Sequence, residues 1–127
     1  METMVRMGEL AISDIPGDVL VSLGLGSCIG LALVDRRAGV AGLAHIVLPV
    51  ASGTPKPEAL NKFADHAVPA LVDGMVERGA SRVFLHAALV VVAEAVGGSR
   101  GRTVRVDVSS GTVSVREVGG VEEVLAA

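Results

Sequence analysis

Half of the 127 residues are hydrophobic, yet the only aromatic side chains are two Phe; there is no Trp or Tyr. Any interior this chain builds must therefore be packed from Val, Ala and Leu. β-branched side chains such as Val are stiff and fit a pleated, half-buried surface, so such a core favours sheet. At this length one domain, residues 1–127, is expected, built as an α/β fold of mainly antiparallel sheet layers with at least one packed helix.

The same composition excludes several partners. A formal charge of -3 and the lack of any Lys/Arg-dense block argue against nucleic acid, which needs a basic footprint, and stacking platforms for bases are missing. The first residues, Met1 to Glu9, lack an apolar signal core, and no run approaches the roughly 18 apolar residues that cross a bilayer. The expected location is cytoplasmic, without membrane insertion. The single cysteine, Cys28, has no internal disulfide partner and is expected to persist as a thiol.

Apolar periodicity and turn residues divide the chain as follows. Residues 4–13 read as a strand, and Asp14 to Asp18 as a turn. Val19 to Leu23 enters a glycine-rich segment, and Ile29 to Asp35 is a buried strand. Arg36 to Gly39 forms a hairpin turn into a strand over Val40 to Leu48, and the Pro- and Gly-containing stretch 51–57 is a loop. Between Glu58 and Arg78 the apolar residues Phe63, Ala67, Leu71 and Met75 recur every fourth position, the stripe of an amphipathic helix, with Gly79 as its stop and Pro69 as a kink or restart. Val83 to Phe84 and Leu89 to Val96 read as strand material. Gly97 to Gly101 is a turn, and Thr103 to Val108 forms a hairpin with Thr112 to Val118.

Gly24, Gly26 and Gly30 invite a dinucleotide-binding reading, but that fingerprint needs a helix directly after it and an acidic residue about 20 positions on. Here a strand-like alternation follows and Asp35 comes too early. The glycines serve better to turn the chain and to aim main-chain N–H groups at a small site, as an oxyanion hole requires.

Cys28 lies inside this cluster. Composition alone makes a lone cysteine in apolar surroundings a small core residue. His45 changes that balance through register: if Arg36 and Gly39 flank a two-residue turn, Gly30 falls opposite His45 and Cys28 opposite Val47. Cys28 and His45 are then diagonal neighbours on one face, about 7–8 Å apart along the backbone and within side-chain reach. An imidazolium beside a thiol lowers the thiol pKa and favours the thiolate. The alternative is a buried His45 satisfied by a backbone carbonyl. Adding His66 and His86 gives a conceivable four-ligand metal set, but no zinc-like spacing supports it, and no metal is expected. His66 belongs on the solvated side of the helix, and Arg100, Arg102, Arg105 and Arg116 on a solvated strand face.

Four segments in order, Leu23-Gly24-Leu25-Gly26-Ser27-Cys28, Gly42 to Pro49, Lys62 to Asp65, and Gly97-Gly98 leading to Gly101-Arg102-Thr103-Val104, carry a resemblance. The chain resembles the chemoreceptor glutamine deamidases, the CheD family of bacterial and archaeal chemotaxis. The resemblance implies a cysteine-dependent amidohydrolase that converts glutamine side-chain amides of methyl-accepting receptors to glutamate, with no cofactor. It puts the nucleophile at Cys28 and the catalytic histidine at His45. The family's third position, usually threonine, falls on Ser22, which keeps the hydroxyl. Main-chain N–H groups of Gly24, Gly26 and Ser27 would stabilise the oxyanion. The cytoplasmic region of receptors is the implied substrate and a CheC-type phosphatase a further implied partner. A non-catalytic regulatory module binding either one is the alternative. Family members carry a glycine-rich segment, a helix and a strand where this chain has only Phe84 to Val96, so the resemblance implies a fold shortened after residue 84.

Overall fold

A computed structural model describes residues 1–25, 29–47, 64–91, 102–117 and 122–126. Two sheets and one helix stack in three layers. One sheet has the order β1-β3-β7-β8-β9, with β1 Glu2–Met4, β3 Val19–Leu25, β7 Arg102–Asp107, β8 Thr112–Glu117 and β9 Glu122–Ala126. The other has the order β2-β5-β4-β6, with β2 Leu10–Ser13, β5 Val40–Ile46, β4 Ile29–Asp35 and β6 His86–Val91. Neighbouring strands run antiparallel except β1 beside β3. The expected mainly antiparallel α/β architecture is what the described residues form.

Alternation along the strands explains the layering. On β4, Ala32 and Val34 face the first sheet, where they meet Leu20, Val104 and Val106, while Leu31 and Leu33 face the helix. On β5, Ala41 and Leu43 point to the first sheet, and Val40, Ala44 and Ile46 to the helix. Both faces of this strand are covered, which is why all seven of its residues are buried. The helix α1, Ala64–Glu77, closes the third layer through Ala67, Leu71 and Met75, three of the four residues of the predicted stripe; Phe63, the fourth, and the expected start at Glu58 lie outside the described residues. Gly79 (φ +102) ends the helix in a Schellman motif, with Ala80 N donating to Met75 O and Gly79 N to Val76 O.

Gly42 fixes how closely helix and sheet approach. A Cβ there would lie 2.7 Å from Leu71 Cδ1 and 3.1 Å from Met75 Sδ. Gly42→Val should therefore destabilise the chain by about 2 kcal/mol, the cost of forcing a side chain into a filled core, read as a lower urea midpoint at unchanged slope.

The hairpin between β4 and β5 has the expected register, with Gly30 opposite His45, but its connection is longer than two residues. The last pair is Asp35 with Val40, and Gly39 N donates to Asp35 O across a four-residue turn. The Asp35 carboxylate takes Arg37 N and Ala38 N on Oδ1 and Ser81 N on Oδ2, tying this turn to the segment that follows the helix.

Several expectations need correction. Residues 4–13 are not one strand: β1 and β2 lie in different sheets, joined by a crossover over Val5 to Glu9 that turns at Gly8 (φ 76), a backbone conformation glycine adopts without strain. Val19 to Leu23 extends as β3 to Leu25, with an irregularity between Ser22 and Leu25. The helix continues through Pro69 with no restart, at the cost of one main-chain hydrogen bond. Val83 and Phe84 belong to a 3-10 turn, Arg82–Phe84, rather than a strand, and the Arg37 guanidinium lies 3.8 Å above the Phe84 ring. β6 starts at His86, three residues before the expected Leu89, and residues 92–96 and the Gly97 to Gly101 turn lie outside the described residues. The hairpin of β7 and β8 forms as expected, with Gly111 at φ +70 in its turn.

Candidate active site

The two sheets bring Ser22 of β3 and His45 of β5 to the same point between them. Both are buried. Each follows from alternation: Ser22 shares the inward face of β3 with Leu20, and His45 that of β5 with Ala41 and Leu43. They do not meet each other directly in the hydrogen-bond pattern. Ser22 Oγ donates to Val5 O at 3.0 Å, and His45 Nδ1 lies 3.3 Å from the same oxygen.

A carbonyl oxygen accepts only, so this contact requires the proton on Nδ1 and leaves the Nε2 lone pair free in the neutral ring. Nε2 is buried and has no hydrogen-bond partner among the described residues. Burial pushes the His45 pKa down from its ordinary value near 6.5, and the hydrogen bond to Val5 opposes this only in part. The ring is thus neutral near neutral pH, with its basic nitrogen available.

The main chain holds the histidine as well. Gly8 N donates to His45 O at 2.9 Å, and His45 N donates to Glu9 O at 3.0 Å. On its other side His45 pairs with Gly30, which brings no side chain to the face the imidazole occupies. Ile29 pairs with Ile46, so the strand holding the histidine runs beside the strand whose first residue is bonded to Cys28. Cys28 itself, with Gly26 and Ser27, lies outside the described residues; Gly24 lies in β3.

Of the other candidates, His66 is exposed on α1, as expected, and His86 is exposed on β6, so neither joins His45. Arg105 is half-buried and pairs with Glu2 at 3.0 Å, and Arg116 is exposed on β8; Arg100 lies outside the described residues. What the sequence reading missed is the Val5 carbonyl. A main-chain acceptor has no residue identity to detect, and reading 4–13 as one strand hid the crossover that presents it.

No protein-family model matches the chain. It is 43% identical over 97 residues to a probable chemoreceptor glutamine deamidase CheD of Symbiobacterium thermophilum, covering 76% of this chain and 55% of that relative. Against that relative the chain thus spans about half the length. It is 31% identical to a probable chemoreceptor glutamine deamidase CheD of Clostridium tetani, covering 97% of this chain and 96% of the relative. It is 32% identical to the chemoreceptor glutamine deamidase CheD of Thermotoga maritima, again covering 97% and 96%. The last two alignments run over 159 and 155 positions on a chain of 127 residues, so part of each relative faces no residue here. Identity at this level along nearly the full length of two relatives shows that the chain belongs to the chemoreceptor glutamine deamidase CheD family.

Proposed function

We propose that this chain deamidates glutamine side chains on the cytoplasmic region of chemoreceptors, with Cys28 as nucleophile and His45 as its acid and base. Family membership supports the substrate and the reaction. The observation that carries the chemistry is His45: its Nδ1 is committed to the Val5 carbonyl, and its buried Nε2 is free among the described residues, on the strand beside the one that follows Cys28.

Nε2 takes the thiol proton as Cys28 Sγ attacks the amide carbon. Because burial holds His45 below its ordinary pKa, the imidazole starts neutral and takes the proton during attack. The carbonyl oxygen becomes an oxyanion, for which main-chain N–H groups of Gly24, Gly26 and Ser27 are the proposed donors. His45 returns the proton to the nitrogen, ammonia leaves, and a thioester remains. Water attacks the thioester with His45 again as base, releasing glutamate and restoring the thiol. The balance is one amide and one water in, one carboxylate and one ammonia out, with only protons and an acyl group transferred.

A CheC-type phosphatase is a further proposed partner, and the cytoplasm the proposed location; among the described residues no helix is long and apolar enough to cross a membrane. Ammonia release tests the reaction. Mixing the chain with a receptor cytoplasmic fragment should release ammonia, and Cys28→Ala should release none. Equal release by both proteins, or none by either, would overturn the reading.

A further inference from the structure

The peptide plane between Val5 and Arg6 is held at both ends. On one side its N–H, that of Arg6, donates to Glu9 Oε1 at 2.8 Å. On the other its carbonyl, that of Val5, accepts from Ser22 Oγ at 3.0 Å and faces His45 Nδ1 at 3.3 Å. A peptide unit is planar, so a group that fixes the N–H direction also fixes the direction of the carbonyl. A carboxylate on the N–H also polarises the amide and makes its oxygen a better acceptor.

The rest of the crossover braces this arrangement. Glu9 N donates to Arg6 O at 2.9 Å, closing the turn, and Val5 N, in the preceding peptide unit, donates to Val21 O at 2.7 Å, anchoring Val5 beside Ser22. Glu9 O and Gly8 N take the two main-chain groups of His45. The segment Val5 to Glu9 therefore touches His45 at its ring and at both ends of its backbone. Among the described residues the Ser22 hydroxyl makes its hydrogen bond to Val5 O rather than to the ring.

We propose that Glu9 is a positioning residue which, through the Val5–Arg6 peptide plane, makes the Val5 carbonyl the orienting acceptor of His45, and that Ser22 acts on His45 only through that carbonyl. The proposal deepens the Cys28–His45 reading and rests on it for its catalytic consequence. The tautomer it assigns does not depend on that reading. In a Cys–His pair the orienting acceptor selects which nitrogen carries the proton, and a ring in the wrong tautomer presents N–H where a base is needed. Here the selector is an oxygen of the main chain, aimed by a carboxylate at the protein surface.

The test combines nitrogen NMR of the histidine ring with kinetics on a receptor fragment. In the wild type, His45 should show the Nδ1–H tautomer. Glu9→Ala should admit the Nε2–H form and lower kcat roughly fivefold with KM little changed, because aim is lost and substrate binding is not. Glu9→Gln keeps an acceptor oxygen for Arg6 N–H and should restore both readouts to within about twofold of wild type. Ser22→Ala should leave the tautomer unchanged, since Val5 O then serves His45 alone. The proposal is overturned if Glu9→Ala keeps the wild-type tautomer and kcat, or if Ser22→Ala switches the tautomer. A wild-type chain that shows the Nδ1–H tautomer yet no deamidation would sink the Cys28–His45 reading and leave the positioning by Val5 standing. A wild-type Nε2–H tautomer would sink the positioning itself.

Discussion

His45→Ala is expected to lower kcat/KM for receptor deamidation by about a thousandfold, within the range that positioned acid–base groups contribute. In the proposed cycle the imidazole acts twice, first on the Cys28 thiol and then on water, so its loss should slow both halves. The wild-type pH profile should carry the same signature. Burial holds the His45 pKa below its ordinary 6.5, so the acid limb of the rate profile should lie below that value. The variant should lack this acid limb. Circular dichroism and a thermal midpoint on the same samples separate loss of chemistry from loss of fold. Activity within tenfold of wild type would remove His45 from the mechanism.

Asp35→Ala should destabilise the chain by about 3 kcal/mol at neutral pH, because it strips three main-chain N–H groups of one acceptor. Asp35 is buried at the end of β4, and its carboxylate joins the β4–β5 turn to the chain after α1. Burial by itself would raise its pKa. The hydrogen bonds from Ser81, Ala38 and Arg37, with the Arg37 charge, outweigh burial and hold the carboxyl below its ordinary 3.8. The stabilisation from ionised Asp35 is therefore complete above pH 3.8 and is lost as pH falls through the lower, folded value. Urea unfolding should show wild type and variant converging at strongly acid pH. Asp35→Asn should fall between them, since an amide keeps an oxygen for the turn but turns a donor toward Ser81 N.

These residues also show how far the sequence could be read. The pairing of Gly30 with His45 was legible because a short turn at Arg36 to Gly39 leaves few registers that bury both strands. It survived a turn longer than expected because the loop ends shifted symmetrically. The stripe of Ala67, Leu71 and Met75 was legible because it faces one continuous sheet surface. The break between β1 and β2 was not. It depends on Gly8 at positive φ and on Glu9 reaching back to Arg6 N, local interactions that apolar alternation does not register. β9 escaped for a related reason: its residues Glu122 to Leu125 are all exposed, so no buried face marks it as a strand.

The site was legible in part for the same reason. His45 and Ser22 could be named, but the carbonyl that takes the place of a direct hydroxyl-to-imidazole contact between them could not. Side-chain identities cannot reveal that substitution, because every residue carries the same acceptor. The serine at position 22 fits this geometry, since a hydroxyl that needs to reach only Val5 O requires no methyl group to steer it toward the ring.

Peptide mapping by mass spectrometry of a receptor cytoplasmic fragment, incubated with the wild-type chain or with Cys28→Ala, tests the central claim most directly. The account predicts discrete glutamines converted to glutamate by the wild type and left as amides by the variant. A fragment whose glutamines remain unconverted, or are converted equally by both proteins, would contradict it.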